Sequence, residues 1–512
     1  MSEPGAHTTD ILTALLDACE RTPAAAAMSL GRRTLTFGQL RARVTSIASG
    51  LTEHGFEPGD RVLFSVRPGL DGICLALGVI AAGGTVVFAD PGAGEQLFRA
   101  RANLAAPKWV AAESVLYAAS RGPLRRIARR RGLELPDYRG VVPDAKHIYA
   151  GPWLPGVPAG ATRLSSLLRS SSVSRHPDPV RSETSATAEA LIIFTSGTTD
   201  HPKAVVHSRS SLRAGLGDFA EHVGFRPGEV VLTDQLMVGI PALISGAHWV
   251  LPPAGADPGA KPEKYLRLLP DADVLFAVPA ALDALLGMLE REPSRAAPKL
   301  RMLLIGGAPV LRPLLERARR QLPETSIKAI YGMTEILPVA IADGDEKLAY
   351  AGAGDYVGEL MSAVHATVDD GELVLEGQGL ALGYLGDPPL VRLRTGDLGR
   401  LEGRHLTLTG RSKDMFIRGT TNVYPGLYEP VIAGIPGVRE AALVGVPGPM
   451  GDDEIVLVIV GDASRVADAL PGLIDAAVMP DRIVTMTHLP THGRSSKLDR
   501  MALAESLTGS ER

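Results

Sequence analysis

Short β-branched runs alternate with longer stretches of helical periodicity along most of the chain. Residues 61–66 have extended character, 72–82 follow a helical apolar pattern, and 85–89 form a second β-branched run. Strand, helix and strand in that order predict parallel strands joined by crossover helices. The most apolar stretch, 73–89, is broken by Gly83 and Gly84. It falls short of the roughly 18 to 20 continuous apolar residues that a membrane span needs, so it reads as a buried helix followed by a strand. Residues 163–190 are rich in Ser, Arg, Pro and Thr with no apolar period, which predicts a loop leading into a strand over 190–194. A polar break at 410–414 precedes two further runs, 440–444 and 454–460, that read as strands of a smaller α+β unit. The predicted fold is therefore α/β, with a large domain of layered sheets and helices over 1–411 and a small α+β domain over 412–512. No internal repeat of fixed period is present.

The bulk properties agree with two domains. A chain of 512 residues is too long for one ordinary core, and 45% hydrophobic content supplies enough apolar surface for more than one. With 53 basic against 57 acidic residues, the net charge of -4 gives no general attraction toward nucleic acid or anionic membrane. The one strong charge run is Arg121, Arg125, Arg126, Arg129, Arg130 and Arg131, whose spacing sets Leu124, Ile127 and Ala128 opposite a basic face. A solvated surface helix is the simpler account, since a single short basic helix binds lipid weakly; stable membrane insertion is not expected. Only Cys19 and Cys74 occur, too few for a disulfide framework or a thiolate metal site, and the first residues lack the layout of a signal peptide. A cytoplasmic enzyme is the expectation, and nothing in the pattern fixes an oligomeric state.

The candidate chemistry begins at Thr195-Ser196-Gly197-Thr198-Thr199, which follows an apolar strand and precedes Pro202 and Lys203. Small residues let backbone N–H groups and hydroxyls approach a polyphosphate, and a nearby ammonium offsets its charge. Taken alone such a loop is usually only a turn, and it is Lys203 and the preceding strand that bring phosphate binding level with that reading. It does not have the GxxxxGK[ST] spacing, which disfavours ordinary NTPase folds.

Further segments follow in one order: FTSGTTDHPKAVVHS, IGGAP, YGMTE, RTGD, GRSKDMFIRGTTNVYP and a late KLDR. Together they resemble the adenylate-forming superfamily of acyl-CoA synthetases, peptide-synthetase adenylation domains and luciferases, over roughly residues 34–501. Each motif alone is weak; the ordered set is specific. The resemblance implies a large ATP- and acyl-binding adenylation domain, a small mobile C-terminal lid, and an ATP- and Mg²⁺-dependent, AMP-forming ligase acting on a carboxylic acid. By the resemblance, Thr195, Ser196, Gly197, Thr198, Thr199 and Lys203 hold the β- and γ-phosphates of ATP. Gly307, Ala308 and Pro309 pack on adenine, as does Tyr331 within Tyr331-Gly332-Met333-Thr334-Glu335. Thr334 meets the α-phosphate, and Glu335 helps hold Mg²⁺, which is commonly bound by one carboxylate plus substrate phosphates. Asp397 accepts from the ribose hydroxyls, Arg411 closes over ribose and phosphate, Lys413 falls at the hinge, and Lys497 bridges carboxylate and α-phosphate during adenylation. Outside this constellation the same residues would read as a turn aspartate, a helix-terminal glutamate, linker cations and a surface lysine.

Departures from the family pattern bear on the outcome. Asp200 stands where a second glycine is usual and puts a carboxylate near a polyphosphate. Thr420 follows Gly419 where thioester-forming relatives usually keep a glycine beside the pantetheine tunnel. Gly493-Arg494-Ser495-Ser496 precedes Lys497 in place of an immediate glycine. Within the superfamily, residues 66–71, 89–92, 331–339 and 351–354 resemble the branch that closes 3-hydroxy fatty acids into β-lactones. That branch needs no CoA, consistent with Thr420, so CoA is disfavoured as a partner. The alternatives are an acyl-CoA ligase, adenylation of an unusual acid such as nitrite, and a non-catalytic nucleotide-binding relative. Retention of Glu335, Asp397, Arg411 and Lys497 argues against the last. The acyl pocket is expected from 232–246 and the residues before Tyr331, although the apolar run 236–240 is equally good core.

Overall fold

A computed structural model describes residues 10–121, 125–126, 130, 135–168, 186–195, 203–253, 255–256, 258–259, 261–292, 298–418, 421–447, 453–471, 473–474, 478–492 and 497–508. Ser196, Gly197, Thr198, Thr199 and Asp200 of the phosphate-loop motif, Arg129 and Arg131 of the basic run, and Thr420 lie outside the described residues. The architecture is mixed α/β: a large, sheet-rich N-terminal domain and a small C-terminal domain built on a three-stranded sheet.

Packing divides the chain into two compact units, the first formed by described residues of 1–253, 333–337 and 378–391. Among the described residues its main sheet has eight strands. The expected parallel pair is present: Arg61–Ser65 pairs with Thr85–Phe88 in the register Arg61 to Thr85, with the helix Leu70–Ala81 as the crossover. Gly83, at φ +82°, turns the chain from helix to strand, and a side chain on Gly84 would run into the Phe56 ring at 2.2 Å. The apolar stretch is thus a buried helix and strand, and among the described residues no helix is long and apolar enough to cross a membrane.

The strand predicted at 190–194 spans Glu189–Phe194. It pairs in parallel with Thr85–Phe88 on one side and antiparallel with Ala204–Ser208 on the other. The alternation rule missed that second pairing, because only residues 195–203 separate the two strands, too few for a crossover helix. Ser208 ends the strand and caps the helix Arg209–Val223 through a reciprocal capping box with Ser211, and Gly224 closes that helix in the left-handed conformation. Beneath it, Arg209 and Asp10 form a buried ion pair at 2.8 Å, and Asp10 also caps Ile11–Arg21. The cores on the two faces of the sheet are centred on Trp109 and Trp249 in one case and on Phe98, Tyr117 and Tyr138 in the other. Within the basic run, Arg121 is paired with Asp137 and Arg125 with Glu95, so part of its charge is neutralised internally.

The second unit comprises described residues of 254–332, 338–377 and 392–512. Val274–Ala277, Met302–Gly306 and Ser326–Met333 run parallel, and Asp355–Leu360, Leu393–Glu402 and His405–Arg411 extend the order antiparallel. After Arg411 comes a short 3-10 turn, Ser412–Asp414, a hairpin of Phe416–Arg418 with Thr421–Val423, and the helix Pro425–Ala433. The predicted strands 440–444 and 454–460 lie inside Val438–Pro447 and Asp453–Gly461, which pair antiparallel, while Arg482–Met486 adds in parallel. This sheet has apolar cores on both faces.

One buried titratable group of the large domain makes the fold sensitive to acid. His147 lies under Tyr117, its Nδ1 3.1 Å from the phenol oxygen, and burial, aided by the charge of Arg139, lowers its pKa to about 4. In the unfolded chain a histidine titrates near 6.5. The unfolded state therefore binds more protons between those values, and stability falls as pH drops from about 6.5 toward about 4. His147→Gln is expected to make the dependence of the melting temperature on pH shallower by about one proton over that window; an unchanged slope refutes the assignment.

Candidate functional site

The motif residues gather into two clusters, one in each compact unit. The first is built around the turn Thr334-Glu335, between the strands Ser326–Met333 and Ile336–Asp343. The strand Ala204–Ser208 is buried at every position, with the exposed Lys203 directly before it and His207 near its end. His207 Nε2 lies 2.7 Å from the carbonyl oxygen of Thr334 and Nδ1 lies 3.2 Å from the hydroxyl of Ser211. Burial lowers the pKa of His207 in spite of the opposing pull of Thr334 and Glu335, so the ring is neutral near pH 7. With one proton to give, the neutral ring donates from Nε2 to the carbonyl, which leaves Nδ1 to accept from Ser211.

The other side of the turn is held by the segment that follows Gln378. Ala381 N donates to Glu335 O at 2.8 Å, and Gly383–Tyr384 pairs antiparallel with Val205 and Val206. The Tyr384 hydroxyl donates to Glu335 Oε1 at 2.8 Å, and the Lys203 ammonium lies 5.1 Å from the centre of the same ring. Enclosure, the bond to Glu335 and the charge of Glu335 raise the pKa of this phenol, so it stays a donor through the neutral range. At the start of the motif loop, Thr195 N donates to Lys203 O at 3.0 Å, which closes the base of the loop.

The second cluster centres on Asp397. Its side chain is about 3% exposed. Oδ2 accepts from the Tyr331 hydroxyl at 2.5 Å, and Oδ1 is 2.5 Å from Arg411 Nε. Burial and then the adjacent carboxylate raise the Tyr331 pKa; burial lowers that of Arg411, but Asp397 outweighs it and the guanidinium stays charged. The carboxylate is positioned by strand pairing, Asp397 opposite Arg411, and by its own amide, which donates to Thr395 Oγ1. Gly396, at φ +73°, makes the turn just before it.

Gly307, at φ +86°, Ala308 and Pro309 form the bend after Met302–Gly306, in the same unit as Asp397. Gly332 and Met333 end the strand that carries Tyr331. The backbone of Lys497 pairs with that of His492; its side chain lies outside the described residues. Among the described residues no group of three or more His, Cys, Asp or Glu is arranged to hold a metal ion. Glu335 is a single half-buried carboxylate with one oxygen engaged by Tyr384, a donor set that suits a Mg²⁺ arriving with substrate phosphates and not a resident metal. His207 lies within the segment FTSGTTDHPKAVVHS, though the resemblance gives it no role, and Tyr384 lies in none of the ordered motifs; its sequence signal is only a Gly-Tyr pair after an apolar run.

Comparison with known proteins follows the same lines. The sequence model of the AMP-binding enzyme family matches residues 15–385, well over half of the chain. The chain is 26% identical over 464 residues to the long-chain-fatty-acid–CoA ligase FadD13 of Mycobacterium tuberculosis, covering 85% of this chain and 84% of that protein. It is 28% identical over 374 residues to the olefin β-lactone synthetase of Xanthomonas campestris pv. campestris, covering 69% of this chain and 62% of that protein. In fold it is similar to the amide bond synthetase McbA of Marinactinospora thermotolerans, with a TM-score of 0.79, 23% identity, and coverage of 97% and 99% of the two chains.

Proposed function

The chain belongs to the AMP-binding enzyme family of acyl-adenylating ligases, and from that premise we propose that it uses ATP and Mg²⁺ to convert a fatty or hydroxy-fatty acid into its acyl adenylate, with release of pyrophosphate. The observation that carries this is the Thr334-Glu335 turn, where an acidic side chain and the ammonium of Lys203 are held against one tyrosine. A fixed cation and a fixed carboxylate are what a magnesium polyphosphate needs at one place. Magnesium, brought by the nucleotide and held in part by Glu335, would neutralise phosphate charge. Thr195, Lys203 and the motif loop would take the β- and γ-phosphates, and Thr334 the α-phosphate. Gly307, Ala308, Pro309 and Tyr331 would border adenine.

Asp397 would accept the ribose hydroxyls while keeping Arg411 nearby. A carboxylate has room for this, since two oxygens offer about four acceptor sites and the protein occupies two. Lys497 would bring its ammonium to the developing charge on phosphorus, an interaction made chiefly in the transition state. Replacing each residue with alanine should therefore separate binding from chemistry. Asp397→Ala should weaken ATP by at least about tenfold, given about 1.5–3 kcal/mol for each hydrogen bond to a charged acceptor. Lys497→Ala should lower kcat for adenylate formation by orders of magnitude with little change in nucleotide affinity. Calorimetric titration and pyrophosphate exchange read the two effects, and a Lys497→Ala enzyme of normal rate would misplace the catalytic lysine.

The chain is proposed to divide near Arg411, with 412–512 acting as a lid that turns about Lys413. This division is supported by Arg500, which reaches from the last helix to Asp414 at 3.3 Å and to Glu429 at 2.6 Å, binding the 3-10 turn into the C-terminal domain. Limited proteolysis is expected to cut between Thr409 and Thr420, and to do so differently with and without nucleotide. Resistance of that segment under every condition would count against the division.

For the acceptor, the proposal is an internal hydroxyl, closing a β-lactone. It rests on the short motif resemblances and on Thr420, a branched residue standing where thioester-forming relatives usually keep a glycine beside the pantetheine tunnel. Thioester formation is the second reading, favoured by the longer match to a fatty-acid–CoA ligase. Mass spectrometry of products from ATP, Mg²⁺ and a panel of acids, with and without CoA, decides between them. The expected result is lactone from a 3-hydroxy acid and little acyl-CoA, with thioester formation gained in Thr420→Gly. Acyl-CoA made as fast as pyrophosphate is released would return the enzyme to the thioester-forming ligases.

A further inference from the structure

Tyr384 joins the Glu335 turn to Lys203 with two different parts of one side chain. Its hydroxyl donates to Glu335 Oε1 at 2.8 Å, while its ring face lies 5.1 Å from the Lys203 ammonium. The backbone around it is fastened to both partners. Leu385 N donates to Ala204 O and Leu382 N to Val206 O, each at 2.8 Å, so the segment is laced to the strand that begins beside Lys203. Ala381 N donates to Glu335 O, also at 2.8 Å. Gly383, at φ +148°, has Pro388 O 3.2 Å and Leu390 N 3.3 Å from where a Cβ would sit, so the bend that presents Tyr384 accepts only glycine without strain.

We propose that Tyr384 is a positioning residue for the magnesium polyphosphate of ATP. It holds Glu335 in one rotamer, leaving Oε2 for the cation, and it keeps the Lys203 ammonium on its ring, where the terminal phosphates arrive. This assignment rests on the adenylation reading above. A free glutamate would have to give up side-chain rotamer freedom on meeting the cation, whereas a tethered one has already done so. Cation–π contact places the ammonium without neutralising it, as a salt bridge to a carboxylate would.

The test measures binding of a non-hydrolysable ATP analogue by calorimetry, with Mg²⁺ and with EDTA, together with AMP in EDTA and the melting temperature of the free protein. Tyr384→Phe keeps the ring and removes the hydroxyl. It is expected to reduce the gain in analogue affinity that Mg²⁺ gives by about tenfold, the scale of one hydrogen bond to a charged group. AMP binding and melting temperature should stay near wild type. Tyr384→Leu, which also removes the ring, should further weaken the analogue in EDTA without weakening AMP. Because Tyr384 acts through Glu335, Tyr384→Phe should add little to the magnesium defect of Glu335→Gln. The proposal is overturned if Tyr384→Phe keeps the wild-type magnesium effect, if AMP binding falls in parallel, if the variant fails to fold, or if the double substitution is additive. A wild-type protein that binds neither analogue nor AMP overturns the adenylation reading, and this assignment with it.

Discussion

The strand Ala204–Ser208 is buried along its whole length and bonded on both edges, to Glu189–Phe194 on one side and to Gly383–Tyr384 on the other. With no exposed face and a partner on each edge, its register can shift only by breaking two ladders at once, and a one-residue slip would turn every side chain to the opposite face. Lys203 directly precedes the strand, and His207 near its end inherits that fixity. The Thr334-Glu335 turn gains it in turn, because its carbonyl meets His207 and its carboxylate meets Tyr384. Burial keeps His207 neutral, which matters because only the neutral ring both donates to Thr334 and accepts from Ser211. The polar groups of this first cluster are held by partners that are themselves held.

Asp397 shows a different solution to the same problem. A carboxylate this enclosed needs partners, and the protein supplies a phenol and a guanidinium at 2.5 Å each. Both partners are only partly covered by protein, Tyr331 being half-buried and the Arg411 side chain about 41% exposed. The carboxylate is thus satisfied by two side chains while acceptor capacity on its oxygens remains, which is what the proposed ribose contact would use.

Much of this was legible in the sequence where the signal is local. The strand at 61–65, the helix and strand after it, and the two long strands of the C-terminal domain each appear within a residue or a few of where apolar alternation put them. Tyr331, Asp397 and Arg411 were picked by ordered motifs, and they do converge in the fold. What pattern could not supply was pairing across long separations. His207 and Thr334 are 127 residues apart, and Tyr384 and Glu335 are 49 apart. No periodicity in a window of one helix or strand encodes such contacts. The antiparallel return at Ala204–Ser208 was missed for a related reason: a rule based on alternating elements sees a crossover wherever a strand is followed by a loop, unless the loop's length is itself decisive.

The ion pairs of Arg500 have a mechanical corollary. Asp414 and Glu429 are clamped by the same guanidinium, and its Nη1 also donates to the carbonyl of Leu443. The peptide units after Ser412 are thereby welded to the C-terminal body, while those before Arg411 are set in the ladder opposite Asp397. The proposed turning of that body would have the bonds around Ser412 and Lys413 as its axle. A short axle limits the number of torsions that can share a motion, so each would have to turn far along a narrow path. On that proposal the joint would act as a latch with few positions, not as a tether.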